Sequence, residues 1–235
     1  MQKDECVPSE IKYCGLTFEI NSKDSKSVTL KHLDNIFGQK TMYRSTNPFL
    51  PQEKVFIIPK TIKDSNGIEY IVTQIAEGAF DNLPVLEVIH VPDSLEFFEW
   101  GLWKCKNLRK FTVDSNNKKY MDIDGVLYNK SRHSLCAYPN KHGTEYRIPE
   151  GTREISSFAF KTCDIESLYC PKSLTHIKIN VFYRCKHLKN IYGLTDNLKE
   201  FGGFYGDYGD VNPKCHFESG LTIDLNDLKE YLSKK

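Results

Sequence analysis

The sequence predicts a repeat solenoid that is poor in helix and built mostly of short β-strands and turns. One motif is written twice. Pro149-Glu-Gly-Thr152-Arg-Glu-Ile155, followed by Phe160, Cys163 and Leu168, returns as Pro171-Lys-Ser-Leu174-Thr-His-Ile177, followed by Phe182, Cys185, Leu188 and Ile191. The two prolines stand 22 residues apart and each precedes its phenylalanine by eleven, a period within the solenoid range. A unit of that length cannot bury a core of its own, so Ile155, Phe160 and Leu168 must pack against the same positions one repeat along. The 235 residues then suffice for one continuous body.

Residues 1–50 read as an N-terminal capping hairpin and loop. Apolar and polar residues alternate from Tyr13 to Ile20 and again from Val28 to Lys31, on either side of a polar turn at Asn21–Ser27. A hairpin there would cover the apolar end of the first repeat. The residues from His32 to Leu50 have no clear period and read as loop.

The solenoid is expected over 51–201. Val55–Pro59 opens it, and a hairpin insertion near 60–73 turns at Asn66-Gly67, a dipeptide that accepts the positive φ angles of a type I′ turn. The repeat resumes through Ile75, Phe80, Leu86 and Ile89, then again through Leu95, Cys105, Leu108 and Phe111. Trp103 precedes its cysteine by two residues where Phe160 and Phe182 do so by three, so Leu102 takes the aromatic's register and this repeat is one residue short. A second extended hairpin is expected over 114–148, with turns at Asp124-Gly125 and Asn129–Ser134. Asp124-Gly125 reads as a turn and not as a catalytic loop, since no second carboxylate stands at useful spacing.

Residues 202–235 form a divergent C-terminal cap. The stretch Gly202–Asp210 holds four glycines and three aromatics without a phosphate-loop spacing, and reads as an irregular surface loop. Asp224 is the expected N-cap of a short amphipathic helix carrying Leu225, Leu228, Tyr231 and Leu232.

Thirty-two Lys and Arg against 31 Asp and Glu leave a formal charge of +1, which provides no global field for nucleic acid or an anionic membrane. No apolar run has the length of a membrane helix, and Met1–Cys6 has no apolar signal core. The chain is thus read either as cytoplasmic or as lacking its export signal. Eight cysteines include no Cys-x-x-Cys pair. Cys105, Cys163 and Cys185 occupy one repeat position and are expected to be a ladder of buried free thiols. Cys6 and Cys14 are the pair to be oxidised in an exported chain.

Catalysis would have to come from Cys215-His216 or Cys185-x-His187, neither of which has a third residue placed to orient the imidazole. The seven histidines include no His-x-x-x-His. No enzyme activity, cofactor or metal is expected. Stacking leaves the residues between core positions in parallel rows, and those rows are where a partner would bind; uniformly charged, unpatterned rows would instead mark a purely structural spacer. The candidate face comprises Val88 and His90, Lys110 and Thr112, Ser167 and Tyr169, and Asn190 and Tyr192. Tyrosine supplies large contact area at low entropic cost, so Tyr169 and Tyr192, one repeat apart, are its centre.

Several stretches together carry a family resemblance: Ile57-Ile58-Pro59, Tyr70–Ile75, Ala79-Phe80, Asp124–Asn129, Tyr138-Pro139, Tyr146–Gly151, Ala159-Phe160 and Pro171–Ile177. Over about residues 13–201 the chain resembles the BspA-type leucine-rich repeat proteins. It departs from their pattern at Trp103, after Cys163 and beyond Phe201. The resemblance implies a right-handed leucine-rich repeat solenoid with short strands on both faces and no catalytic residues. It also implies an exported or surface protein of a host-associated anaerobe, acting in adhesion by binding a protein or glycan ligand of the host's extracellular surroundings.

Overall fold

A computed structural model describes residues 10–13, 16–22, 26–33, 54–81, 83–98, 102, 105–131, 133–203 and 212–235. Strands of two to seven residues recur along it, and the described residues contain one α-helix, Leu228–Ser233. The repeat period appears directly in strand pairing. Val88 lies opposite Lys110, Glu145 opposite Ser167, and Glu154 opposite His176, each 22 residues on and each in a parallel ladder.

Two tracks of strands run along the solenoid. On one, Val55–Ile57, Val88–Val91 and Lys110–Val113 form a parallel sheet; Glu145–Arg147, Ser167–Tyr169, Asn190–Leu194 and Lys214–Phe217 form a second, closed by antiparallel Thr222–Asp224. On the other, Glu69–Ile75 pairs with Phe97–Phe98, and further along Ser134–Ala137, Glu154–Ile155, His176–Ile177 and Glu200–Phe201 run parallel. Because successive strand residues point to opposite faces, the middle residue of each rung enters the core. Ile89, Phe111, Leu168, Ile191 and Cys215 are fully buried on the first track, as are Leu135, Ile155 and Ile177 on the second.

Between the tracks runs an aromatic column. Phe56 meets Phe80 edge-on at 5.4 Å between centroids, while Tyr138, Phe160 and Phe182 follow one another at 4.9 and 5.7 Å. Beside them the predicted thiol ladder is present. Sγ of Cys105 donates to the carbonyl of Phe80 at 2.8 Å, Cys163 to that of Tyr138 at 3.3 Å, and Cys185 to that of Phe160 at 2.6 Å. Each cysteine thus satisfies a carbonyl 25 residues earlier, on the aromatic of the preceding repeat, and all three thiols are free. Leu102 is buried, whereas Trp103, Cys6 and Cys14 lie outside the described residues.

Leu16–Ser22 and Ser27–Leu33 form the expected N-terminal hairpin, flanked by a further strand, Glu10–Tyr13, that alternation had not suggested. Ser27–Leu33 pairs in parallel with Glu69–Ile75, so the hairpin is hydrogen-bonded to the first repeat and buries Phe18 and Leu30 against it. Of the stretch His32 to Leu50 read as loop, His32 and Leu33 instead end the strand Ser27–Leu33, and residues 34–50 are outside those described. The insertion at 60–73 is the expected hairpin, pairing Thr61–Lys63 with Glu69–Ile75, but its turn is not the expected type I′: Gly67 takes φ +80° while Asn66 does not take a positive φ, and the Gly67 N–H closes back on the carbonyl of Asp64 at 3.0 Å within a longer loop.

The hairpin expected over 114–148 is narrower. Tyr120–Ile123 and Val126–Asn129 pair around Asp124 (φ +51°) and Gly125 (φ +81°), and Val126–Asn129 pairs antiparallel with Ser134–Ala137 across the second expected turn, so both turns are present; Ser134–Ala137 is at the same time a rung of the second track, and Glu145–Arg147 is a rung of the first. Alternating polarity in 131–148 could not separate an insertion from a repeat because both are short strands. Val126, Leu127 and Tyr128 are all buried, since this strand lies between the two halves of the core: Leu127 packs with the first, Val126 and Tyr128 with the second.

At the C-terminus Leu225–Asp227 is a single 3₁₀ turn leading into the helix. Leu225 and Leu228 are buried, and Tyr231 and Leu232 pack on the core. Asp224 stands at the N-cap position in extended conformation, yet its side chain makes no cap bond. Its carboxylate instead accepts from Lys214 Nζ at 2.5 Å across the sheet edge.

Candidate binding face: a stacked aromatic ridge

The eight residues of the predicted face occupy two separate sheets. Val88 opposes Lys110 and His90 opposes Thr112 on the first; Ser167 opposes Asn190 and Tyr169 opposes Tyr192 on the second. The break between them is the insertion hairpin. The backbone N–H of Phe111 donates to the carbonyl of Gly125 at 2.8 Å, and a Cβ on Gly125 would lie 2.6 Å from Cβ of Lys110. Across the gap His142 Nδ1 meets the carbonyl of Arg109 at 2.9 Å.

On the first sheet the row is polar and paired. His90 Nδ1 and Thr112 Oγ1 lie 2.9 Å apart, Lys110 is exposed, and Val88 is half-buried. Along the neighbouring edge Lys54 and Arg109 both reach Glu87, at 2.8 and 3.7 Å. Glu87 ionises more readily than an ordinary carboxyl, chiefly because of its hydrogen bond with Lys54.

The second sheet carries a different surface. The rings of Tyr169 and Tyr192 stack with centroids 5.1 Å apart and 19° between planes, and the imidazole of His216 stacks on Tyr192 at 4.6 Å and 14°. At the other end the guanidinium carbon of Arg147 stands 4.5 Å from the Tyr169 centroid, within cation–π range. The register that places them is continuous: Arg147 opposes Tyr169, Tyr169 opposes Tyr192, and Tyr192 opposes His216. Strands about 4.8 Å apart set parallel rings near stacking distance, so the fold itself builds a ridge roughly 14 Å long.

The ridge is held at its His216 end and bent beside Tyr192. His216 Nε2 donates to Asn190 Oδ1 at 2.9 Å, and its Nδ1 lies 3.1 Å from the hydroxyl of Thr222. Gly193 follows Tyr192 at a bulge, with φ +77°, and a Cβ there would meet the carbonyl oxygen of Cys170 at 2.6 Å. Only glycine lets the strand bend there without displacing the neighbouring rung.

Arg147 and His216 belong to the ridge although sequence reasoning had chosen only Tyr169 and Tyr192. For Arg147 the signal was present, since it stands one 22-residue repeat before Tyr169; His216 lies 24 residues after Tyr192 because the last repeat is longer, so spacing alone would have pointed to Lys214 or Cys215. The cysteine–histidine pairs considered for catalysis are taken apart by the fold. Cys215 is fully buried with its thiol pushed up to about 12 by desolvation, while His216, next along the strand, faces the ridge. Cys185 is held in the ladder, its thiol pushed up to about 12 by burial, and His187 is exposed in the turn beyond. Neither pair has the thiolate beside an imidazole that nucleophilic catalysis requires. Of the Gly202–Asp210 loop, residues 204–210 lie outside those described.

Among solved structures the chain is similar to the pneumococcal vaccine antigen PcpA, at 15% identity over 84% of this chain and 78% of that one, with a TM-score of 0.47. A Treponema pallidum leucine-rich repeat protein matches at 15% identity over 83% and 85%, with a TM-score of 0.43. One from Bacteroides capillosus matches at 22% identity over 79% and 98%, with a TM-score of 0.40. No curated protein sequence matches. The model of the BspA type leucine rich repeat region, in six copies, matches residues 60–130 and 136–205, more than half the chain. This chain belongs to the BspA-type leucine-rich repeat family.

Proposed function

We propose that this chain is a non-enzymatic adhesion module of an extracellular or cell-surface protein, and that it engages a protein partner through the ridge of Arg147, Tyr169, Tyr192 and His216, flanked by Ser167 and Asn190. The observation that carries the reading is the stacking itself. Rings in series cover one another's faces, with Arg147 over the outer face of Tyr169 and His216 over that of Tyr192. A neutral glycan recognised by stacking needs an open ring face, whereas this row offers ring edges, phenolic hydroxyls and a guanidinium. Those groups suit the carbonyls, carboxylates and apolar side chains of a protein surface. Stacking also fixes the tyrosine rotamers before binding, which lowers the entropy lost on association.

Family membership supports a repeat binding module, and surface or secreted placement is the usual setting of the family. The test is surface plasmon resonance of the wild-type chain and the Tyr169→Ala/Tyr192→Ala double variant against a panel of immobilised extracellular-matrix and serum proteins. Partners of the wild type should lose at least tenfold in affinity with the double variant, as expected when hot-spot tyrosines are removed. Unchanged binding of every partner would place the site elsewhere.

A further inference from the structure

The second track is interrupted where the insertion enters. Phe97–Phe98 pairs with Glu69–Ile75 in one sheet, while the next rung, Ser134–Ala137, belongs to another. Tyr120 stands between them, its hydroxyl oxygen accepting from the backbone N–H of Phe98 at 2.9 Å. The break shows in burial. Ile75, Leu135, Ile155 and Ile177, inward residues of this track, are at most 1% exposed, whereas Phe98, opposite Ile75, is partly exposed. A cavity of about 330 Å³ opens there, and Phe98, Ala137, Tyr138 and Ala159 give it an apolar floor that is the core itself.

Its walls are aromatic as well. Phe97, 43% exposed, borders it on one rung, and Phe158 borders it from the turn that follows Glu154–Ile155. Phe158 takes φ +57°, a left-handed conformation that Asn180 holds one repeat on and that asparagine tolerates far better than a bulky ring. The ring is fixed edge-on to Tyr183 at 6.0 Å, with Lys161 Nζ 5.2 Å from its centroid. Backbone strain held in this way occurs at ligand clamps. Protein interiors are otherwise close-packed, so an opening of this size with apolar walls has the dimensions of a small-molecule site.

The rim carries one charge of each sign. Glu96 and Lys119 both border the cavity and the shallow groove beside it, and neither forms an ion pair among the described residues. We infer that the cavity binds a free aromatic amino acid, at a site on the second track distinct from the protein-binding ridge on the first. The ring occupies the apolar floor between Phe97 and Phe158, the α-ammonium faces Glu96 and the α-carboxylate faces Lys119. A peptide terminus brings only one of these charges beside a ring. A fatty acid sets its carboxylate near Glu96 with no ammonium to match it, and a neutral sugar leaves both charges unmatched over an apolar floor.

The test uses the whole chain and four probes in calorimetry: L-tryptophan, tryptamine, indole-3-propionate and decanoate. Tryptophan should bind with a Kd of roughly 0.1–1 mM, the range for a ligand of its size. Tryptamine and indole-3-propionate, each lacking one charge, should bind about three- to fivefold more weakly, the worth of one exposed ion pair. Glu96→Gln should abolish the preference for tryptophan over indole-3-propionate, and Lys119→Gln its preference over tryptamine; both side chains are exposed, so both variants should melt as the wild type does. Cys136, partly exposed and not disulfide-bonded, lines the same cavity, and saturating tryptophan should slow its alkylation as read by mass spectrometry. Tyr169→Ala/Tyr192→Ala should leave tryptophan binding intact, which separates failure here from failure of the ridge. No binding of tryptophan, equal or tighter binding of any other probe, preferences unchanged in the two variants, or alkylation of Cys136 at the same rate with and without tryptophan would each overturn the assignment.

Discussion

Phe160→Ala is the sharpest probe of how the repeats hold together. Phe160 is fully buried between Tyr138 and Phe182, with ring centroids 4.9 and 5.7 Å away. Truncation removes a whole buried ring and leaves a cavity bounded by two other rings that belong to adjacent repeats. Such truncations cost about 3–5 kcal/mol, of which the two aromatic pairs account for about 0.5–1.5 kcal/mol each. The backbone carbonyl that accepts from Cys185 stays in place, so the loss should be one of packing. In urea unfolding followed by far-UV circular dichroism, a slope of about 3 kcal/mol/M converts this to a midpoint lowered by about 1–1.7 M. Phe158→Ala, two residues earlier and only half-buried, serves as the control and should shift the midpoint by less than half as much. A shift below about 0.3 M for Phe160→Ala would mean that the aromatic column is not what couples the repeats.

Other consequences are read at single positions. Alkylation of the native protein at pH 8 should leave Cys105, Cys163 and Cys185 unlabelled over hours, because burial pushes Cys105 and Cys185 up to about 12 and raises Cys163 as well; mass spectrometry showing rapid labelling, or a bridge between Cys163 and Cys185, would remove the ladder. Stability should hold up to about pH 9 and fall above it. Desolvation raises the ladder thiols and takes Tyr146 up to about 12, so the unfolded chain loses these protons first and the stabilisation disappears as pH climbs through the folded values; a flat profile to pH 11 would contradict this. Gly193→Ala should lower stability by about 1–3 kcal/mol through a positive φ and the 2.6 Å approach to Cys170, measured by thermal melting, and an unchanged melting temperature would mean that the bulge relaxes freely.

How much could be read beforehand follows from what repeats and what does not. A 22-residue period fixes which residues share a rung, so Tyr169 beside Tyr192, the buried Phe160 and Phe182, and the cysteine ladder all followed from spacing. Insertions break that period. The stretch 114–148 holds a hairpin followed by a genuine rung, and in sequence both are short alternating strands flanked by turn residues. Only parallel pairing of Ser134–Leu135 with Glu154–Ile155 tells them apart. The same hairpin divides the candidate face into two sheets, which no local pattern announces. Asp224 had the residue type and place of a cap, yet a lysine on the neighbouring strand competes for its carboxylate.

The ridge as the partner-binding face is tested most directly by site-specific photocrosslinking. A benzophenone side chain is placed at Tyr192, at Thr112 on the other sheet of the same track, or at His176 on the opposite track, and each protein is irradiated with a partner retained in the resonance screen. The account predicts a crosslinked product from position 192 and none from 112 or 176. Crosslinking from 112 or 176 with none from 192 would contradict it.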